Sequence, residues 1–508
     1  MPNPGSRNAS LVLVTVASVA ALAACSSAPS LDSRAASERV DAPAKLTKSC
    51  TDQLCKGERG GAPFEVRLPS HWNGTLLIWS HGYRAADAVP ADPTQPSGAV
   101  QQPDRTPEVA PADVVATQLL DKGYALAGSA NKANGWAVQD SVGANEDLYT
   151  YFKSTFGKPN RVYIWGASLG GLSTQVLAEK HPAWVSGSAP ICAPLAGTNL
   201  NLDLALDVAY SVKTLFDPQL KLTGFASHEE AVQNWEHAAA SLVAAAKSGK
   251  PDAIAGLLAI KAIAGAPDQT KDQDGSTTTS TGTAIVESVL NALGYATFGR
   301  YELEQRVGGN PSANDAADYA KRISEANRKL IETAAPGKLD GILAKLSSGQ
   351  RVTADDAARA KADELGNPDG DITVPTLTMH TVDDPLVLAA NERVYAVRVD
   401  ASHSAAELQQ FLTRPPLHYT EAPYGAGHCN FTAEEAVGVV DLLDGWVRSG
   451  QYPASGAIAQ ELDYSSDDAQ TTMNTPKSID AGTATTGYSP SLLPPPWPNP
   501  DAAILLAH

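Results

Sequence analysis

The chain has 508 residues, more than a single domain usually contains, so we expect one core domain with a large insertion, or two domains. Its formal net charge is −18, which argues against nucleic acid as a partner because proteins that bind nucleic acid present basic patches. Beyond that exclusion, the charge bears on solubility and not on fold.

The first residues predict an export signal. Leu11 to Ala24 form an apolar run that is shorter than the roughly 20 residues of a membrane-spanning helix, so residues 1–24 are interpreted as a signal peptide. The run ends in Leu22-Ala23-Ala24-Cys25, which resembles the bacterial lipobox, whose cysteine is acylated. We therefore expect a lipid anchor to the membrane at Cys25, with residues 25–60 as a tether and N-terminal segment. An ordinary signal peptide with an incidental cysteine is the alternative.

The cysteines also favour an extracytoplasmic protein, either lipid-anchored to the cell membrane or secreted. If Cys25 is acylated, four cysteines remain, an even number that suits an oxidising compartment. Cys50 and Cys55 are close enough to close a small loop, which leaves Cys192 to pair with Cys429. Four free thiols are the alternative.

Strands and helices alternate through residues 61–194, which we interpret as the first part of the core domain. Short apolar runs between turn residues predict strands, and apolar residues at helical spacing predict helices. The expected strands are 64–69, at an edge of the sheet, and then 76–79, 124–128, 161–165 and 184–191; the expected helices are 112–122, 140–156 and 172–180. This alternation predicts an α/β fold with a doubly wound, mostly parallel sheet.

The pattern changes at residue 195. Residues 195–370 are rich in Ala and helical in pattern, with amphipathic stretches such as 228–247 and 313–333 on either side of a polar linker, 269–283, and we interpret them as a helical cap insertion. The core resumes over 371–455, with strands at 374–379 and 417–422 and a last helix at 432–449. Residues 456–508, which contain three consecutive prolines, are expected to form a disordered tail.

One pentapeptide carries the chemistry, Gly166-Ala167-Ser168-Leu169-Gly170. A serine hydroxyl is a weak nucleophile that must be aimed and deprotonated, and a strained strand-to-helix turn with small residues on both sides does the aiming. Here an apolar strand pattern precedes the pentapeptide directly and a helix pattern follows it. Ser168 is therefore the predicted nucleophile; a glycine-rich turn without chemistry is the alternative.

Acyl transfer also needs donors for the developing oxyanion. One is the backbone N–H after the nucleophile, here that of Leu169. The other is assigned to the N–H of Tyr83, with Gly82 as the second choice, because Ser80-His81-Gly82-Tyr83 follows an early strand. His81 is not assigned as the base, since the chain order in this type of site is Ser, acid, His.

The general base is expected late in the chain. His428 follows the last predicted strand and precedes the final helix, so it can reach back over the sheet edge to Ser168. The remaining late histidines are less suitable because they fall in a strand, a helix pattern or the tail: His380, His403, His418 and His508.

The acid should end the strand before the base and orient it. Asp383 and Asp384 are both at that place. Asp384 is preferred because Pro385-Leu386-Val387 follows it, which resembles the sequence after the acid in many serine hydrolases. Asp203, after an earlier strand, is a more remote alternative.

Together, Ser168, Asp384 and His428, with His81-Gly82, resemble the α/β-hydrolase superfamily, and within it secreted actinobacterial lipoprotein-type serine hydrolases with a Gly-His-Cys loop at the histidine. The resemblance covers residues 64–194 and 371–450. It implies a hydrolase that acylates its serine and then hydrolyses the acyl-enzyme. The resemblance does not extend to the insertion at 195–370, so it does not indicate the substrate.

We therefore predict a serine hydrolase that cleaves a carboxylic ester, with a small-molecule or peptide substrate. A serine exopeptidase with the same three residues is the alternative, and a non-catalytic binding lipoprotein is a third hypothesis, because fold does not imply function. No cysteine and histidine cluster has zinc-ligand spacing, and no phosphate-binding loop is present, so no metal or cofactor is expected.

Overall fold

Strands form where the sequence places short apolar runs, and nine of them join one sheet among the residues that the computed structural model describes. These residues are 49–51, 53–90, 102–180, 183–267, 281–414, 428–429, 431–462 and 491–500. The strands are β1 Ser49–Cys50, β2 Leu54–Arg59, β3 Ala62–Arg67, β4 Thr75–Ser80, β5 Ala125–Ser129, β6 Arg161–Ala167, β7 Gly187–Ile191, β8 Thr376–Thr381 and β9 Leu408–Thr413.

The sheet has the order β1-β2-β3-β5-β4-β6-β7-β8-β9. Strands β1, β2, β3 and β5 pair antiparallel, and every pairing from β5 through β4 to β9 is parallel. The predicted α/β fold with a mostly parallel sheet is therefore confirmed. The expectation that residues 64–69 form an edge strand is wrong, because β1 and β2 continue the sheet beyond β3.

Helices cover both faces of this sheet. The core helices are α1 Asp113–Asp121, α2 Val138–Phe156, α3 Leu169–Glu179, α13 Ala390–Ala401, α14 Ala433–Ser449 and α15 Ser455–Leu462. On one face, Leu77 and Trp79 of β4 pack with α1 and α14 residues, and on the other Leu76 and Ile78 pack with α2 and α3 residues. Because both faces are covered, β4 is buried along its whole length, which explains its unbroken apolar run.

The insertion between β7 and β8 is helical and has its own apolar core. Its helices are α4 Gly197–Leu215, α5 His228–Ser248, α6 Pro251–Ala264, α7 Thr281–Tyr295, α8 Phe298–Val307, α9 Tyr319–Arg322, α10 Glu325–Ala334, α11 Leu339–Ser348 and α12 Asp356–Gly366. The single helix predicted at 313–333 is wrong, because Asp318 and Ser324 each cap the start of a separate short helix, α9 and α10.

Part of the expected C-terminal tail packs on the folded protein. Trp497 is buried, 7% exposed, against Ala196 and Leu200 of the insertion's first turns and Ala390 and Val394 of α13. At the other end of the chain, β1 and β2 extend the sheet from within the segment interpreted as tether.

Several predictions lie outside the described residues: the signal peptide with Cys25, the strand at 417–422 with His418, most of the 269–283 linker, and His508. Within the described part of the chain, no helix combines the length and the apolar character needed to cross a membrane.

Candidate active site

Ser168 lies on a tight turn between β6 and α3. Its φ of 56° and ψ of −128° are unusual for a residue with a side chain, and such strain concentrates at functional sites. The flanking glycines allow the turn: a Cβ on Gly166 would lie 2.7 Å from the carbonyl oxygen of Ser80, and one on Gly170 would overlap that same oxygen. The sequence Gly-Ala-Ser-Leu-Gly therefore forms a strained strand-to-helix turn, which presents Ser168 at the carboxyl end of the sheet.

The loop after β4 lies directly against Ser168. A Cβ built on Gly82 would lie 3.3 Å from the Cβ of Ser168 and 3.8 Å from its Oγ, so a larger residue there would crowd the hydroxyl. His81 is buried, and burial together with nearby Arg84 lowers its pKa to about 4, so the ring is neutral at pH 7. Its Nδ1 donates to the carbonyl oxygen of Gly82 at 2.7 Å, which fixes the turn of the loop.

The two expected backbone donors belong to segments that contact the serine. Leu169 is the first residue of α3, so its N–H has no partner within the helix. Tyr83 follows Gly82, whose carbonyl is held by His81. A trans peptide points its C=O and N–H in opposite directions, so the Tyr83 N–H is directed away from His81.

Asp384 and His428 meet at the same end of the sheet. The Nδ1 of His428 donates to Asp384 Oδ2 at 2.7 Å, and Asp384 Oδ1 accepts the backbone N–H groups of Leu386 and Val387, both at 2.9 Å. Asp384 is 1% exposed. Although burial opposes ionisation, the nearby imidazoles of His428 and His380 hold the pKa of Asp384 well below its usual range. A buried carboxylate therefore orients His428 and leaves Nε2 as the nitrogen that faces away from it.

The order of these features along the chain and across the sheet decides the fold family. A mostly parallel sheet carries a serine on the β6–α3 turn, an aspartate after β8 and a histidine before the last core helices, in the chain order Ser, Asp, His. The chain has the α/β-hydrolase fold. Among the sequence alternatives, Asp384 is the carboxylate that bonds His428, whereas Asp203 lies on α4 and pairs with Arg359 at 2.9 Å.

Comparisons with known proteins find a distant relative in sequence and low similarity to solved structures. No family model matches the chain. Among curated proteins, this chain is similar to o-phthalyl amidase from Xanthobacter agilis, with 24% identity over 427 residues that cover 78% of this chain and 87% of that protein.

Two solved structures show low overall similarity. Feruloyl esterase B from Aspergillus oryzae gives a TM-score of 0.38 with 15% identity, covering 79% of this chain and 81% of that chain. Proline iminopeptidase from Mycobacterium smegmatis gives a TM-score of 0.34 with 14% identity, covering 78% of this chain and 100% of that chain. The fold is therefore assigned from the strand order and the turn at Ser168.

Both expected disulfides are present in the structure. Cys50 and Cys55 join β1 to β2, and Cys192 and Cys429 are bonded with their Cα atoms 5.4 Å apart. Cys192 directly follows β7, whose last residue Ile191 accepts the backbone N–H of Ser168 at 2.9 Å. The bond therefore ties the residue after His428 to the strand beside the serine.

One group of metal-ligating residue types occurs in the described residues, and it consists of Cys192, Cys429 and His428. The two sulfurs are bonded to each other in the disulfide, so neither is the thiolate that binds metal.

The helical insertion contacts the loops beside Ser168. Tyr295, the last residue of α7, packs edge-on against Tyr83 with ring centroids 5.3 Å apart, and its ring lies 6.3 Å from that of Trp136. The carboxylate of Glu302 on α8 accepts the backbone N–H of Trp136 at 2.8 Å. The insertion is thus attached to the loop next to the serine.

The sequence analysis missed a buried pair behind Asp384. His380 on β8 and Glu392 on α13 are both 0% exposed, and His380 Nδ1 lies 3.2 Å from Glu392 Oε1. The available signal was the alternation in β8, where Thr376, Thr378 and His380 share one face and Leu377 and Met379 the other. A polar face on a fully buried strand indicates a buried polar network.

Proposed function

We propose that the protein is a serine hydrolase that cleaves a carboxylic ester through an acyl-enzyme on Ser168. The observation that carries the proposal is the 2.7 Å bond between His428 and Asp384 at the sheet end where the strained turn presents Ser168. In this mechanism His428 takes the hydroxyl proton as Ser168 attacks the carbonyl carbon, and then gives it to the leaving group. Water, deprotonated by the same histidine, releases the acid and regenerates the serine.

The backbone N–H groups of Leu169 and Tyr83 are the proposed oxyanion donors. Both belong to segments in contact with Ser168, and preorganised N–H groups stabilise the negative charge that develops on the carbonyl oxygen. The side chain of Tyr83 packs on Tyr295, so the insertion supports the loop that carries one of the two donors.

An amide or peptide bond is the second candidate for the cleaved bond. It is favoured by the similarity to o-phthalyl amidase over 78% of this chain, and an exopeptidase would use the same three residues. Both reactions pass through an acyl-enzyme, so only turnover separates them. A non-catalytic binding protein is the third hypothesis.

The test is a panel of p-nitrophenyl esters and matched aryl amides, assayed with the wild type and Ser168→Ala. We expect ester turnover that Ser168→Ala abolishes while the variant unfolds at the wild-type temperature. Ser173→Ala is the matched control, because Ser173 lies one turn along α3 and its hydroxyl bonds only the carbonyl of Leu169 in the described contacts. Turnover by Ser168→Ala at the wild-type rate would refute the proposal.

We also propose that the enzyme acts outside the cytoplasm and is anchored by lipid at Cys25. The lipobox-like sequence before Cys25 and the two disulfides support this proposal. Full-length protein expressed in a bacterium should partition into the detergent phase of Triton X-114, and Cys25→Ser should remain in the aqueous phase. Equal partitioning of the two proteins would contradict the anchor.

A further inference from the structure

A second histidine and a second carboxylate lie directly behind Asp384. The Nε2 of His380 donates to the carbonyl oxygen of Val387 at 2.7 Å and lies 3.6 Å from Asp384 Oδ2. Its Nδ1 donates to Glu392 Oε1 at 3.2 Å. The other oxygen of Glu392 accepts from Thr378 Oγ1 at 2.6 Å and Gln410 Nε2 at 2.7 Å.

These contacts determine the protonation of His380. A backbone carbonyl only accepts hydrogen bonds, so Nε2 of His380 must carry a proton. An ionised carboxylate also only accepts, so the hydrogen bond to Glu392 places a second proton on Nδ1. His380 is thus a buried imidazolium between two carboxylates. Burial alone would lower the pKa of His380, but the hydrogen bonds and charges of Asp384 and Glu392 raise it to about 10. This raised pKa agrees with a doubly protonated ring.

His380 also fixes the loop that carries Asp384. It holds the carbonyl oxygen of Val387, while the N–H of that same residue donates to Asp384 Oδ1. Asp384 Oδ1 is therefore tied to a loop that is itself tied to β8. Oδ2 is left to accept from His428.

We propose that His380 and Glu392 are a positioning pair that aims the Asp384 carboxylate at His428 and sets the charge behind it. The inference rests on the proposed function of Ser168, Asp384 and His428. Two carboxylates and one imidazolium carry one net negative charge at rest, and a proton taken by His428 balances that charge when Ser168 attacks.

The groups that surround this pair make its charge testable. Asp384 meets this pair directly, and His428 meets it through Asp384. On α13, burial and the nearby charges of Glu179 and Glu392 raise the pKa of Tyr395, whose hydroxyl donates to Glu179. The two strands that neighbour β8 contain no titratable side chain. Their sequences are Gly-Ser-Ala-Pro-Ile in β7 and Leu-Gln-Gln-Phe-Leu-Thr in β9. On α14, Glu435 turns to its own helix start, where it accepts from the N–H of Thr432.

The experiment measures the rate at which a fluorophosphonate labels the full-length protein as a function of pH, which needs no knowledge of the natural substrate. The pH at which the rate is half-maximal is the pH at which half of the protein can deprotonate Ser168. His380→Gln removes a positive charge from behind Asp384, so positive charge on the proposed base is better tolerated and the half-maximal pH should rise by about one unit. Glu392→Gln removes a negative charge and should lower the half-maximal pH.

A matched control separates positioning from general damage to the fold. Asp217→Asn removes a buried carboxylate that bonds a histidine, His237, at 2.8 Å within the insertion, and it should leave the half-maximal pH unchanged. Glu392→Gln keeps the test valid if His380→Gln does not fold. Opposite shifts of the two variants support the pair; a slower rate with an unchanged half-maximal pH in both means a merely structural role and overturns it.

The proposed function and the pair fail in different ways. If the wild type is not labelled, or if Ser168→Ala is labelled at the same rate, the proposed function fails and the inference fails with it. If Ser168 of the wild type is labelled and neither variant shifts the half-maximal pH, only the positioning pair is refuted.

Discussion

Asp384→Asn changes one atom of the site and isolates the role of the buried carboxylate. The amide oxygen can still accept the N–H groups of Leu386 and Val387, so the loop keeps those two bonds of 2.9 Å. The amide nitrogen then faces His428 Nδ1 at 2.7 Å, with a donor where an acceptor was. His428 must accept there and hold its proton on Nε2, so it cannot take the proton of Ser168.

We expect this substitution to lower the rate by a factor of about 10⁴, as loss of the charged aspartate does in the best-studied serine enzymes. That factor corresponds to about 5.5 kcal/mol of transition-state stabilisation. The assay is kcat/KM on a p-nitrophenyl ester, with thermal unfolding measured in parallel because the amide nitrogen also lies near His380.

Asp383→Asn is the matched control, since it makes the same chemical change on the adjacent, partly exposed residue. It should keep activity within a few-fold of the wild type. An Asp384→Asn enzyme within about tenfold of the wild type, or a larger loss in Asp383→Asn, would refute the assignment of the acid.

Three further predictions concern the disulfide, the insertion and pH. The double variant Cys192→Ala/Cys429→Ala opens a loop with a sequence separation of 237, which should destabilise the fold by at most about 5 kcal/mol. The rate of ester hydrolysis should fall by a larger factor than the folded fraction, which is measured by circular dichroism. Tyr295→Ala removes the ring that packs on Tyr83, so KM across an ester panel should change more than the melting temperature. Because the pKa of His380 is raised from 6.5 to about 10, its stabilisation is complete below pH 6.5 and is lost as the pH rises through about 10. Denaturant titrations should show this decline in the wild type and a flatter profile in His380→Gln; parallel profiles would contradict it.

The sequence predicted the elements that are buried on both faces. The strands β4, β5 and β6 appear as unbroken apolar runs because helices cover both sides of the sheet, and the turn at Ser168 follows from glycines next to such a run. Strand β2, with Lys56, Glu58 and Arg59, is only partly buried and pairs through its backbone, so its side chains gave no strand signal.

The elements that were missed depend on tertiary contacts. Strand β9 begins with Leu408, Gln409 and Gln410, which are only partly buried. The side chain of Gln410 donates to Glu392 on α13, a contact that the sequence does not reveal. His380 appeared as one more late histidine because its partner Glu392 is meaningful only once β8 and α13 pack together. In the same way, the buried position of Trp497 depends on surfaces of α13 and the insertion that no local pattern reveals.

The central claim is that Ser168 is the nucleophile, and covalent labelling tests it most directly. A fluorophosphonate should add once to the wild-type protein, and peptide mapping by mass spectrometry should place the adduct on Ser168 in the Gly166–Gly170 turn, with no adduct on Ser168→Ala. An adduct on another residue, or an unlabelled wild-type protein that is fully folded, would contradict the account.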